Sequence, residues 1–400
     1  MIFTRIEIDN LYCFRGSEID LTFPKKLTNN TISSETLPGR DRFHFKRVCI
    51  LSGPNASGKT AFGKVLCGLQ NFIERKVLLE DLYEAVSYRD IPATVVAEFA
   101  SVDDLCLHKV SFSFMKGGAQ IKSLKYAKVP INKNDSALVA RKNLEKIFNS
   151  SGNFKQRAGV EFISSGSTDF EKLEAMARFA EMTFSGSWCY LFSDTEASSK
   201  LRSTDTAMLN NTELLEIILK IFDPSIQDVS ETFSNVDGKK QELNGFRVKF
   251  KNGDTALVDL KGDATGFRRF SKGTFDSIKV ANFVARIKNS SSETTTFFLD
   301  EQLAHAHSEL EVNLLNVMIE FLGATSQLFF TTHNYHIMDM NLPNHSFAFL
   351  AKDDEFSRFV LPEKTHKKND RAISNAVKNN VFKTIPNVHL LDKFMVENSV

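Results

Sequence analysis

Four hundred residues, 42% hydrophobic and 25% charged, exceed one typical domain and carry the balance of a chain that folds, which excludes wholesale disorder and a fibrous structure. Fifty Lys and Arg against 49 Asp and Glu leave a net charge of +1, so bulk charge gives no argument for a nucleic-acid or membrane-surface partner. The five cysteines, Cys13, Cys49, Cys67, Cys106 and Cys189, form no C-x-x-C pair, which argues against a disulfide framework or a thiolate zinc site and for a reducing, cytoplasmic setting. No apolar stretch reaches the roughly 18 residues that span a bilayer, and Met1 to Glu7 lacks the basic-then-apolar order of an export signal.

Ile2, Ile6 and Ile8, then Ile19, Leu21 and Phe23, alternate with polar residues around Cys13-Phe14-Arg15-Gly16 and predict an antiparallel strand pair. The polar segment Lys25 to His44, with Pro38-Gly39, predicts a loop that delivers the chain to the apolar run Val48 to Leu51, expected as a buried strand. From Gly58 the spacing of Phe62, Val65, Leu66, Leu69, Phe72 and Ile73 predicts a helix. Between residues 91 and 245, strand-like segments at 94–99, 109–114 and 119–126 precede helical ones at 136–148, 169–184 and 212–222. An inserted, mostly helical α+β subdomain is expected there, separating residues 1–90 from 246–400. Strands at 246–250, 256–260, 295–299 and 327–331 then alternate with helices at 274–287 and 308–322. That alternation predicts an α/β fold with a mainly parallel sheet.

Gly53-Pro54-Asn55-Ala56-Ser57-Gly58-Lys59-Thr60 completes a G-x-x-x-x-G-K-[ST] between the expected strand and helix. A tight glycine turn at a helix N-terminus points backbone N–H groups at phosphate oxygens; Lys59 would neutralise β/γ-phosphate charge and Thr60 would place its hydroxyl on Mg²⁺. The alternative is a glycine turn that binds nothing. The apolar strand Thr296 to Leu299 ends in Asp300-Glu301, where Asp300 suits the Mg²⁺ shell and Glu301 the polarisation of an attacking water. Gln327 to Thr332 leads to His333-Asn334, a histidine able to hydrogen-bond a γ-phosphate or that water, or else a structural strand end. Arg269-Phe270-Ser271-Lys272-Gly273-Thr274 puts serine and glycine before a helix, as an anion site or as a plain cap.

In this order the four pieces resemble a P-loop ABC-type ATPase head, with Walker A, signature, Walker B and switch histidine. The likeness is nearer to SMC and RecF-like heads and nearest to the AAA-type ATPases grouped with OLD proteins, which include ATPase subunits of phage-defence systems. It rests on Phe14-Arg15, on the S-x-G-T of Ser271 to Thr274, on the D-E-x-x-x-x-x-H of Asp300 to His307, and on the T-T-H-N of Thr331 to Asn334. The tail from Lys367 to Arg371 and Ile385-Pro386 is also similar. The resemblance implies ATP and Mg²⁺ as ligands, with Arg15, Ser271, Gly273 and His307 as further nucleotide contacts. It also implies Ser271 and Gly273 acting on the nucleotide of a second, head-to-tail subunit. The sequence departs from the pattern at Arg269-Phe270, where an acidic residue is usual, and at Ser308, where proline is common.

Two functions stay open. One is a RecF-like or SMC-like ATPase that binds DNA, to which residues 116–146 would contribute: eight basics (Lys116, Lys122, Lys125, Lys128, Lys133, Arg141, Lys142, Lys146) against Asp135 and Glu145. A solvated face is the alternative for that stripe. The other is a self-assembling, nucleotide-gated subunit of a defence complex that holds a separate effector. OLD nucleases continue into a Toprim domain after the switch histidine, whereas 67 residues follow His333 here, so the effector is expected on another chain.

Overall fold

The computed structural model describes residues 1–24, 32–149, 159–193, 211–236, 240–260, 264–265, 272–304, 306–365, 373–384 and 395. The chain divides into two compact units, Phe3–Phe184 with Thr331–Val400, and Met1–Ile2 with Ser185–Phe330.

The first unit opens with β1 (Ile2–Asp9) and β2 (Ser17–Asp20), paired antiparallel as the alternation requires. The expected loop at 25–44 holds a short hairpin, β3 (Thr36–Leu37) with β4 (Arg40–His44), built on Gly39 at φ 73°. β5 (Val48–Ser52) is buried through Leu51 and passes into α1 (Lys59–Arg75), followed by the short α2 (Glu80–Tyr83). β6 (Ala93–Ala100), β7 (Cys106–Phe114), β8 (Ile121–Pro130) and β9 (Glu161–Ser164) extend the first pair into one sheet, in the order β2-β1-β6-β7-β8-β9. α3 (Ala137–Phe148) and α4 (Asp169–Ala180) pack on β8. The front part of the expected insert is therefore the continuation of the N-terminal sheet, because β6 to β8 are apolar enough to need covering. α1 meets β7 there, with Phe72 stacked on Phe112 at 4.0 Å.

In the second unit, β10 (Ser187–Leu191) is an edge strand. α5 (Thr212–Phe222) follows, then a meander of β11 (Ile226–Val236), β12 (Lys240–Phe250), β13 (Thr255–Asp259) and β14 (Ala264–Thr265). Among the described residues of 91–245, strands stand beside three helices, so the mostly helical character expected there is not what these residues show. α6 (Lys272–Asn289) leads to β15 (Thr295–Asp300), which pairs in parallel with β10, and α7 (Ser308–Phe321) leads to β16 (Gln327–Thr332). β15 is buried at all six positions, as a central parallel strand must be.

Back in the first unit, β17 (Phe347–Asp353) pairs in parallel with β5 and antiparallel with β18 (Phe356–Val360); α8 (Pro362–Thr365) and α9 (Ile373–Lys378) follow.

Candidate nucleotide site

The loop between β5 and α1 turns through two left-handed residues, Ala56 at φ 60° and Gly58 at φ 97°. The Ser57 N–H donates to the Pro54 carbonyl at 3.2 Å, closing the turn. Glycine is required at Gly53 for a different reason: a Cβ there would stand 2.5 Å from the Leu350 carbonyl oxygen of β17 and 2.7 Å from Ser57 Oγ. Gly58 is the N-cap of α1, no side chain caps the helix, and its first turn carries no acidic residue, so the positive end of the helix is left to an anion.

Lys59 is buried at 4% exposure, and its ammonium donates to the carbonyls of Gly53 at 2.9 Å and Pro54 at 3.1 Å. The charge is thereby held on the backbone of Gly53 and Pro54, although Lys59 itself does not line the cavity those two residues border. Ser57 Oγ is fully buried with no hydrogen-bond partner, an unpaired polar atom inside the turn that a phosphate oxygen would satisfy. These observations fit a polyphosphate.

Ser52, Gly53, Pro54 and Asn55 line a cavity of about 500 Å³ together with His333, Tyr335, Val377 and Thr384. The structure thus brings His333, expected as a phosphate or water contact, to the first half of the phosphate loop. Its neighbours in the T-T-H-N run set its position: the Asn334 N–H donates to Thr332 Oγ1 at 2.9 Å, and the Asn334 side chain accepts from the His336 N–H at 2.9 Å, capping the 3-10 turn Tyr335–Asp339. Tyr335, Val377 and Thr384 carry no sequence signal that points to the site.

Phe14 and Arg15 part company. Phe14 is fully buried behind the loop, stacked on Phe359 at 5.6 Å, and its ring would lie 3.0 Å from a Cβ at Gly58. Arg15 is not among the cavity-lining residues. Its guanidinium sits 5.2 Å from the Tyr88 ring centre and 5.4 Å from that of Phe356, a cation–π seat at the surface.

Thr60 is the second residue of α1, and the second unit holds Asp300, Glu301, Gly273 and His307. Asp300 ends β15, fully buried, and accepts a hydrogen bond from Ser193 Oγ at 3.2 Å. Glu301 turns at φ 49°, a left-handed backbone rare for a non-glycine residue and concentrated at functional sites. That turn swings Glu301 off the strand line of Asp300. Gly273 lies in the first turn of α6, and His307 is the N-cap of α7, accepting from the Glu309 N–H at 3.4 Å. Ser271, with Arg269 and Phe270, lies outside the described residues, as do Lys367 to Arg371 and Ile385-Pro386. Among the described residues no group of three or more His, Cys, Asp or Glu is placed to hold a metal.

The basic stripe is partly consumed inside its own unit. Arg141 pairs with Glu98 at 2.9 Å and Asp20 at 3.0 Å, and Lys128 with Glu161 at 3.0 Å; Lys125 lies 4.7 Å over the Phe148 ring. Burial pushes the Glu98 carboxyl up despite Arg141. Burial pulls Asp20 the same way, but there the charge and hydrogen bonds of Arg141, with Thr22, win and hold it down.

No family model and no curated protein matches the chain. Among solved structures it is similar to an SMC head bound to the C-winged helix domain of ScpA, at 12% identity and a TM-score of 0.45, over 91% of this chain and 100% of that one. It is also similar to the SMC head domain from Thermotoga maritima, at 10% identity and a TM-score of 0.39, over 90% and 99% of the two chains. Likeness at this level assigns no residue a role. Among the described residues no helix is long and apolar enough to cross a membrane.

Proposed function

We propose that this chain is an ATP-binding and ATP-hydrolysing subunit built on an ABC-type head. The observation that carries the reading is the cavity shared by Gly53, Pro54, Asn55 and His333, with the Lys59 ammonium held on the carbonyls at its edge. In this reading the loop N–H groups and Lys59 bind the phosphates and His333 orients the terminal phosphate or the water. Thr60 suits Mg²⁺, which binds through few protein oxygens and the phosphates themselves and would neutralise their charge. For Asp300 and Glu301 the support is the sequence pattern alone, which gives them the chemistry of a Mg²⁺ carboxylate and of a general base.

The finer reading is a self-assembling subunit that gates a separate effector in a phage-defence complex. Its support is the sequence resemblance at Phe14-Arg15, Ser271 to Thr274, Asp300 to His307 and Thr331 to Asn334. The DNA-binding alternative loses part of its footing, because Arg141 and Lys128 of the basic stripe are engaged in ion pairs. The test is calorimetric titration of parent and Lys59→Ala protein with Mg-ATP, followed by phosphate release. Parent binding with loss in the variant supports the reading, and equal affinity in both removes it. Pull-down from the native host, with and without ATP, then separates a second protein chain from nucleic acid as the retained partner.

A further inference from the structure

Thr384 stands on the wall of the cavity that Gly53, Pro54, Asn55 and His333 share. It is 7% exposed, and its Oγ1 is buried without a hydrogen-bond partner. A buried hydroxyl left unpaired is destabilising, so its place on a cavity wall calls for a group that the cavity receives.

The residue is held there firmly. Phe382, two positions earlier, is 1% exposed and stacks on Phe349 of β17 at 4.3 Å and 8°. Asn380 and Lys383 turn the chain at φ 52° and 57°, and the Val381 N–H ties the turn to the Ala376 carbonyl of α9 at 3.0 Å. α9 itself packs against the 3-10 turn that follows His333. Histidine and threonine therefore reach one cavity from two segments locked to each other.

The position of Lys59 says which end of a nucleotide would meet them. Its ammonium lies on the carbonyls of Gly53 and Pro54, both cavity-lining residues, so the most negative end of a polyphosphate is drawn to that edge.

We propose that the Thr384 hydroxyl hydrogen-bonds the terminal phosphate of a bound nucleoside triphosphate, which makes residues 373–384 a reader of the triphosphate state. The inference rests on the nucleotide reading above. A threonine hydroxyl is uncharged, so it discriminates by one charge-assisted hydrogen bond that a diphosphate cannot receive at that place.

Calorimetric titration of the full chain with a non-hydrolysable ATP analogue and with ADP, both with Mg²⁺, tests it on parent, Thr384→Val, Thr384→Ser and Lys59→Ala proteins. Loss of one hydrogen bond to a charged group weakens the triphosphate about tenfold or more in Thr384→Val. ADP affinity stays at the parent value, which also reports a folded site, and Thr384→Ser restores triphosphate binding. Equal change for both nucleotides, no change for either, or no recovery with serine overturns the proposal. Lys59→Ala separates two failures. If it binds like the parent, the nucleotide reading itself falls; if it loses binding while Thr384→Val does not, only the role of Thr384 falls.

Discussion

Gly58 and Cys13 leave no room between them: a Cβ on Gly58 would stand 2.5 Å from the Cys13 Sγ. Gly58 also holds φ 97°, so two penalties meet at one position, whereas Gly39 at φ 73° has nothing within 4 Å. Gly58→Ala is expected to cost more than the ~1–3 kcal/mol of a strained backbone alone, and Gly39→Ala no more than that. Urea unfolding midpoints of the two variants check the order, and equal losses would contradict it.

Lys59→Ala is expected to lose ATP binding, because it removes the one loop cation held over Gly53 and Pro54. Glu301→Gln is expected to bind ATP as tightly as the parent while hydrolysis falls by about 10²-fold or more, the usual scale for losing a general base. Nucleotide affinity and phosphate release, measured on the same preparations, separate the two roles.

If the site is completed by Ser271 and Gly273 of a second subunit, Ser271→Arg should bind ATP as an isolated chain but neither hydrolyse it nor associate in an ATP-dependent way. A ligand shifts assembly only through its differential binding to the two states, and ATP carries the extra phosphate that distinguishes them. Mixing Ser271→Arg with Lys59→Ala rebuilds one intact site per mixed dimer, so part of the activity should return. A mixture that associates and stays inactive would count against the shared site.

Arg141 is treated by its neighbours as a structural cation. Its side chain is 12% exposed and bridges Glu98 and Asp20, so Arg141→Leu strands two carboxylates and is expected to cost about 3–5 kcal/mol. Lys122, exposed on β8, should tolerate reversal to Glu with no more than ~0.5 kcal/mol of change. Chemical denaturation measures both, and DNA retention by the Lys122 variant at parent level would assign that face to solvent.

Burial pushes the Glu74 carboxyl up to about 7, and its Oε1 is buried without a partner. An unfolded chain releases that proton near the ordinary value of 4.5, so stability falls as pH rises from about 4.5 to about 7 and the whole penalty is present above that. Glu74→Gln should therefore stabilise the protein at about pH 8 and give no gain near pH 4. Thermal midpoints across that range decide it, and a gain independent of pH would point to packing instead.

Much of the strand, glycine turn and helix around Gly53 to Thr60 was legible because everything it needs is local. The glycines at Gly53 and Gly58, the apolar run of β5 and the 3.6-residue spacing of α1 sit within about thirty residues, and backbone geometry follows from them without reference to the rest of the chain. The T-T-H-N run was legible for the same reason, since Thr332 and Asn334 bond to their immediate neighbours. The seat of Arg15 was not, because two aromatic rings 73 and 341 positions later compete for its guanidinium.

By itself, then, the amino-acid order determined where a glycine turn would join a strand to a helix, that Val48 to Leu51 would be buried, and that a histidine would follow β16. Tertiary structure alone decided that β17, some 300 residues after β5, lies in parallel beside it and presses its Leu350 carbonyl against Gly53. It also decided that 93–130 extends the N-terminal sheet, and that Thr384 reaches the cavity of Gly53 and His333. The physical reason is shared: periodicity records which face of an element must be buried, but not which distant surface buries it, and non-local pairing is chosen by the fit of whole elements.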